Sequence, residues 1–393
     1  MRVVVADDSA LFRRLITTVL ASLPEVEVVG QAANGKQALQ RVHELTPDLL
    51  TLDMEMPELN GLEVLDALQK SGENVAVLII SAFTHQGGRL TIQALQKGAF
   101  DFITKPDLSG LEQIREALRA ELAPRLKAQS LRFKVRNILR NSTAAAPIHP
   151  AASPVHPALI HPPASPVHPA APPIHAASPT WMTSLEGINT RMNRLAGTIK
   201  PEMVLIGVST GGPNALAGLL PALPGDLGVP VLIVQHMPPL FTQSLAENLT
   251  AKCALQVCEA AHGENLEPNT VYIAPGGRQM RLAPGDGGRK MIQITDDPPE
   301  NNCRPSVDYL FRSVANQFSG RAMAVILTGM GSDGMLGLRL LKRHGCFVIA
   351  QDEPSCVVYG MPKAAVDAGV VDVVLPLEAI AGRIVAAIQG RMA

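Results

Sequence analysis

The stretch MVLIGVSTGGPNAL, Met203 to Leu216, decides how the second half of this chain folds. Met203–Val208 is apolar and rich in branched residues, the pattern of a strand buried on both faces. Ser209-Thr210-Gly211-Gly212 breaks the run. Pro213 follows at the start of a helical segment, where its missing N–H has no partner to lose. Strand, glycine turn and helix place Ser209 at the carboxyl end of a sheet, where open α/β folds bind their ligands. Gly207-x-Ser209-x-Gly211 fits a nucleophile elbow, in which small neighbours let a sharp turn expose a serine hydroxyl. It fits equally a phosphate-binding turn at a helix N-terminus. This segment alone leaves both readings open.

The flanking segments separate them. Val229–Gln235 is a second apolar strand, and it ends on His236. Thr270–Ala274 and the run from PGGRQMRL to Met291–Thr295 read as strands with hairpin turns, and Pro305–Val314 as a helix. Met323–Leu327 is another strand, ending in Thr328-Gly329-Met330-Gly331-Ser332-Asp333-Gly334, with a helix from Met335 to His344. Phe347–Ala350 and final helices follow. Ser209, His236 and Asp333 therefore each follow a buried strand on the carboxyl edge of one parallel sheet. A histidine there takes a serine proton, and a carboxylate fixes its tautomer and steadies the imidazolium. A phosphate loop explains neither partner, and no accompanying lysine or ribose carboxylate is evident. The expected chemistry is that of a serine hydrolase, in the order Ser–His–Asp and not the Ser–Asp–His of α/β-hydrolases.

The first 122 residues carry a second pattern. Strands over Arg2–Ala6, Val26–Val29, Asp48–Leu52, Val75–Ile80 and Phe100–Ile103 alternate with helical segments, which predicts a doubly wound, five-stranded parallel sheet. Asp7, Asp8, Asp53, Ser81 and Lys105 then fall at strand carboxyl ends on one edge. Three carboxylates so placed repel unless a divalent cation takes up their charge, and oxygen donors suit Mg²⁺. One carboxylate can accept a phosphoryl group, with Lys105 pairing to it and Ser81 donating a hydrogen bond.

Between these halves the composition changes. Leu111 to about Leu139 has helical spacing, with Pro124 expected to kink or interrupt it. Ala144–Pro179 is rich in proline and repeats ASPVHPA, with His149, His156, His161, His168 and His175 spread through it. Proline removes donors and fixes φ, so an extended linker is expected. The division is thus 1–122, 123–198 for helical extension and linker, and 199–393. The net charge of −1 gives no electrostatic case for nucleic acid. Cys253, Cys258, Cys303, Cys346 and Cys356 lack zinc-type spacing, and an odd number argues against a disulfide framework. No apolar run is long enough to span a membrane, and the first residues enter a strand directly, so the expected compartment is the cytoplasm.

ADDS, LDMEMPELNGLEVL and DFITKP resemble a response-regulator receiver domain. The resemblance implies phosphorylation at Asp53 by a histidine kinase, and Mg²⁺ held by Asp7, Asp8, Asp53 and the backbone carbonyl of Glu55. It also makes Ser81 and Phe102 the switch pair, with Lys105 beside them. IGVSTGGPNAL, VLIVQHMPPLFTQSLAENL, VYIAPGGRQM, NCRPSVDYLF, VILTGMGSDGM and SCVVYGMPKAA resemble the catalytic domain of the chemotaxis protein-glutamate methylesterases. That implies hydrolysis of glutamyl methyl esters on chemoreceptors with release of methanol, deamidation of receptor glutamines, and no cofactor for the hydrolysis. Ser209 is then the nucleophile, His236 the base and Asp333 its carboxylate. Met330 is the implied oxyanion donor, supported by Thr210 and Gly211. Cys303 departs from the family, where a basic residue often stands, and is expected at the rim of the site. The alternatives are a phosphorylation-controlled docking module on receptors, or an esterase of a related signalling array.

Overall fold

The computed structural model describes residues 1–108, 110–143, 200–317 and 322–391. The expected proline- and histidine-rich linker lies outside them. In the N-terminal domain β1 (Arg2–Ala6), α1 (Ala10–Ala21), β2 (Glu27–Ala32), α2 (Gly35–Leu45), β3 (Leu49–Asp53), α3 (Gly61–Ser71), β4 (Ala76–Ser81), α4 (His85–Gln96) and β5 (Asp101–Thr104) alternate, and α5 (Leu111–Thr143) follows. All five strands pair in parallel, in the order β2-β1-β3-β4-β5. Every residue of β3 is buried, as a central strand covered by helices on both faces requires. Short polar side chains start the helices: Ser9, Asn34, Asn60 and Thr84 each accept a hydrogen bond from a first-turn N–H.

Of the two outcomes expected at Pro124, interruption does not occur: one helix runs through it. Packing on both sides offsets the lost hydrogen bond to the preceding turn. Leu118, Leu122 and Leu126, four residues apart, are fully buried on one stripe. Arg125 adds bonds of 2.9 Å from Nε to Asp101 and from Nη1 to the Glu121 carbonyl.

The C-terminal domain contains β6 (Met203–Val208), α6 (Gly212–Leu219), β7 (Val231–Gln235), α7 (Phe241–Thr250), β8 (Gln256–Glu259), β9 (Thr270–Ile273), β10 (Gln279–Pro284), β11 (Lys290–Thr295), α8 (Val307–Gln317), β12 (Ala322–Ile326), α9 (Met335–Arg343), β13 (Phe347–Gln351), α10 (Met361–Asp367), β14 (Val373–Leu375) and α11 (Leu377–Ile388). Seven strands form one sheet in the order β14-β13-β12-β6-β7-β9-β8, every pair parallel. β10 and β11 form the expected antiparallel hairpin. β8 and β14 have no counterpart in the sequence reading. Both are short edge strands of four and three residues, too brief to show a period. From β6 the chain moves outward through β7 on one side and returns later through β12 on the other. The crevice between β6 and β12 is therefore a topological switch point, which is where such sheets carry their sites.

The two domains pack together. Phe102 of β5 stacks on Phe241 of α7, with ring centroids 5.0 Å apart and planes 6° apart. Ile92, Leu95 and Phe102 share one apolar cluster with Met237, Phe241 and Leu245. Around this cluster Arg89 pairs with Glu247 at 3.4 Å, and Gln96 bonds Asn248.

Candidate active site

The elbow is built as its residues require. Gly211 adopts a left-handed backbone, φ 77°, and a Cβ there would stand 2.5 Å from Val357. The carboxyl ends of three adjacent strands are tied by backbone bonds beside it. His236 N–H donates to the Val208 carbonyl at 3.2 Å, and Ser209 N–H to that of Thr328 at 3.0 Å. The β12 loop approaches so closely that a Cβ on Gly329 would lie 2.8 Å from Ser209 Cβ, so only glycine fits there. Ser209, His236 and the Asp333 loop thus meet on one edge, as expected. Among the described residues none accepts from the N–H groups of Thr210, Gly211 or Met330, which leaves three donors at this edge.

Asp333 is 3% exposed and receives six hydrogen bonds. His236 Nε2 lies 2.8 Å from Oδ2, and Val307 N–H donates to the same oxygen at 2.7 Å. Asn301 Nδ2, Ser306 Oγ and the N–H groups of Asp308 and Gly334 converge on Oδ1. The free N–H groups at the start of α8 thus face a carboxylate, where the helix dipole favours negative charge. Burial alone would raise the pKa of Asp333, but the bonds to His236, Val307 and Asn301 outweigh it and bring it down to about 2. For His236 burial works toward the neutral ring, yet hydrogen bonds to Asp333 and Cys303 outweigh it and hold the pKa up at about 9.

At neutral pH the resting pair is therefore imidazolium and carboxylate. A base must be neutral to take a proton, so with His236 in the role of base, as the sequence implies, kcat/KM should rise with pH, about tenfold per unit, and level off above about pH 9. Rates of ester hydrolysis across that range, with the rate of a Ser209→Ala protein subtracted, check this; a flat profile from about pH 6 upward contradicts it. Stability follows the opposite course. The folded His236 pKa is raised, so its contribution is complete below about 6.5 and fades as pH rises through about 9.

Two findings depart from expectation. Cys303 touches the histidine itself and not only the rim: its Sγ lies 3.6 Å from His236 Nδ1. Ser209 Oγ and His236 share no hydrogen bond among the described residues, and the contact at Nδ1 is the Cys303 thiol. The second concerns Thr210. Its hydroxyl donates to Asp101 of the N-terminal domain, a buried carboxylate whose pKa burial raises despite Arg125. Asn214, one turn along α6, donates to the Ala99 carbonyl at 3.4 Å. Asn301, Ser306 and Asp101 were not legible as site residues. Gln235 also belongs here, since its Nε2 donates to the carbonyls of Ser209, at 3.0 Å, and His236, at 3.3 Å. The one available signal was their position beside RPSVD, QHM and DFITKP.

In the N-terminal domain Asp7, Asp8 and Asp53 place carboxylate oxygens within 4.8 Å of one another. Lys105 Nζ lies 2.7 Å from Asp53 and 2.9 Å from Asp7. Burial raises the pKa of Asp53 to about 6 in spite of that lysine, and the Glu55 N–H donates to the same carboxylate. Three hard oxygen donors on one edge, Asp7 and Asp53 buried and Asp8 exposed, fit a divalent cation of the Mg²⁺ type. Ser81 turns away from Asp53, its Oγ donating to the Gly87 carbonyl at 3.2 Å.

The chain matches two family models, the response regulator receiver domain over residues 3–119 and CheB methylesterase over residues 204–384. It is 45% identical to a protein-glutamate methylesterase/protein-glutamine glutaminase of Desulfotalea psychrophila, with 98% of each chain covered. It is 41% identical to the protein of that name from Moorella thermoacetica, with 99% of each covered. The crystal structure of the Thermotoga maritima CheB methylesterase catalytic domain is 41% identical, covering 48% of this chain and 98% of that one, with a TM-score of 0.46. With its receiver motifs, its elbow and these full-length relatives, the chain belongs to the CheB methylesterase family.

Proposed function

We propose that this protein hydrolyses glutamyl methyl esters on the cytoplasmic helices of chemoreceptors, releasing methanol, and deamidates receptor glutamines through the same tetrahedral geometry. The observation that carries it is the His236–Asp333 pair set against the serine elbow on one sheet edge. Ser209 Oγ attacks the ester carbonyl while His236 Nδ1 takes its proton, Nε2 being committed to Asp333. His236 then returns the proton to the leaving methoxide, and a water repeats the cycle on the acyl-enzyme. The N–H groups of Met330, Thr210 and Gly211 are the donors for the oxyanion. Residues 1–122, 123–198 and 199–393 divide the chain into receiver, helical extension with linker, and esterase. With no helix among the described residues long and apolar enough to cross a membrane, work in the cytoplasm on receptor tails suits it.

Asp7, Asp8, Asp53 and the Glu55 carbonyl would hold Mg²⁺, which neutralises charge as a histidine kinase's phosphoryl group passes to Asp53. Lys105 would then move from Asp53 to the phosphate, and Ser81 would leave Gly87 to donate to it. Phe102 ties that switch to Phe241, and Asp101 ties it to Thr210, beside the nucleophile. The unphosphorylated receiver thus holds the elbow covered, and phosphorylation shifts the population toward an open state. If the covered state is favoured by about 1.4 kcal/mol, about a tenth of molecules are open. A small phosphodonor with Mg²⁺ should therefore raise methanol release from methylated receptor membranes about tenfold. Asp53→Ala should abolish the response, and Asp101→Ala should raise the unstimulated rate. Equal rates with and without phosphodonor would exclude gating.

A further inference from the structure

The loop that carries Cys303 is held in place before any ligand arrives. Glu300 and Cys303 exchange backbone bonds of 3.1 and 2.7 Å, with Asn301 and Asn302 in left-handed conformations between them. Gln279 Nε2 donates to the Cys303 carbonyl at 3.3 Å, and Arg312 Nη1 grips Glu300 at 2.9 Å. The thiol is half-buried and faces a histidine that is itself oriented from behind. Asp333 cannot serve as a direct ligand at the same place, because its two oxygens already receive six hydrogen bonds. It acts on Nε2 as the carboxylate that fixes the ring, and it leaves Nδ1 facing the sulfur. Carboxylate, histidine and open nitrogen in line are the arrangement that supports histidine as a metal ligand.

The spacing agrees with this. Zinc binds histidine nitrogen at about 2.0–2.1 Å and thiolate at about 2.3 Å, so a tetrahedral N···S edge is about 3.5 Å. His236 Nδ1 and Cys303 Sγ are 3.6 Å apart. The Asn301 carbonyl oxygen lies 3.4 Å from the same sulfur, a suitable S···O edge. Sulfur and imidazole select a soft cation, while the carboxylates of Asp7, Asp8 and Asp53 select a hard one, so the two sites would not compete for one metal.

We propose that His236 Nδ1 and Cys303 Sγ, with the Asn301 carbonyl, form a binding site for a soft divalent cation of the zinc class, and that its occupancy inhibits the esterase. Binding releases two protons, one from the thiol and one from Nδ1 of the imidazolium, and the metal then holds the nitrogen lone pair that must otherwise accept the proton of Ser209. The inhibition rests on the serine mechanism proposed above; the binding does not.

The test uses the full chain stripped of metal and titrated with Co²⁺, which reports a bound thiolate through a sulfur-to-cobalt charge-transfer band. The wild type and Ser209→Ala should both show the band, saturating at one equivalent and displaced by Zn²⁺. Cys303→Ser, Cys303→Ala and His236→Ala should lack it. Cobalt on the linker histidines gives no such band, because they bring no sulfur. A band absent from the wild type, or retained in both Cys303 variants or in His236→Ala, overturns the site. In the rate arm, Zn²⁺ at about ten times its Kd should lower wild-type methanol release about tenfold. Cys303→Ser, compared with its own metal-free rate, should be far less sensitive. Equal sensitivity of the two proteins overturns inhibition through this site. A chain that shows the band but no esterase activity would count against the proposed function and not against the metal site.

Discussion

Ser209→Ala is expected to lower methanol release from methylated receptor membranes by at least about 10⁴-fold, because nucleophile and base act as one unit and removing either removes both. His236→Ala should be nearly as severe, and the double variant little worse than either. The loss should be in kcat, with the fold untouched. Among the described residues Ser209 Oγ forms no bond to His236, and the bonds that shape the elbow, from Ser209 N–H to the Thr328 carbonyl and from Gln235 Nε2 to the Ser209 carbonyl, do not involve the Ser209 side chain. Thermal unfolding of the variant should therefore match the wild type. A folded Ser209→Ala protein that keeps its rate within tenfold would refute the serine mechanism. The Cys303 thiol beside His236 would then be the nucleophile to test next, with Ser209→Ala/Cys303→Ala.

Asp333→Asn should cost about 10³–10⁴-fold in kcat, since the amide presents either a donor or a neutral acceptor to Nε2 and no longer holds the tautomer that frees Nδ1. It should also destabilise the domain, which Ser209→Ala should not. Six donors converge on Asp333, among them Val307 N–H and Asp308 N–H from the start of α8. An asparagine turns one of its two acceptors into a donor, leaving at least one of those buried groups unpaired at a cost of about 1–3 kcal/mol. Denaturant unfolding of the two variants side by side separates the effects. Wild-type stability together with a rate loss under tenfold would show that Asp333 neither orients His236 nor anchors α8.

Much of this molecule was legible in the sequence, because its strands are buried and its candidate site residues stand at the strands' ends. Four apolar runs ending in Asp8, Asp53, Ser81 or Lys105, and three ending near Ser209, His236 and Asp333, each declare a strand and what stands at its end. In a parallel sheet the carboxyl ends share one edge, so strand identity alone brings those residues together. The short edge strands β8 and β14 escaped because a few residues show no period. Local propensity allowed Pro124 to interrupt α5, and the buried stripe of Leu118, Leu122 and Leu126 carries the helix through it. The remaining decisions belong to packing between distant segments. Asp101 meets Thr210, Phe102 meets Phe241, and Asn301 meets Asp333 across separations that no periodicity records. Cys303 is the sharpest case: its sequence position suggested the rim, and only the folded loop between Glu300 and Pro305 carries its sulfur to the one open nitrogen of His236.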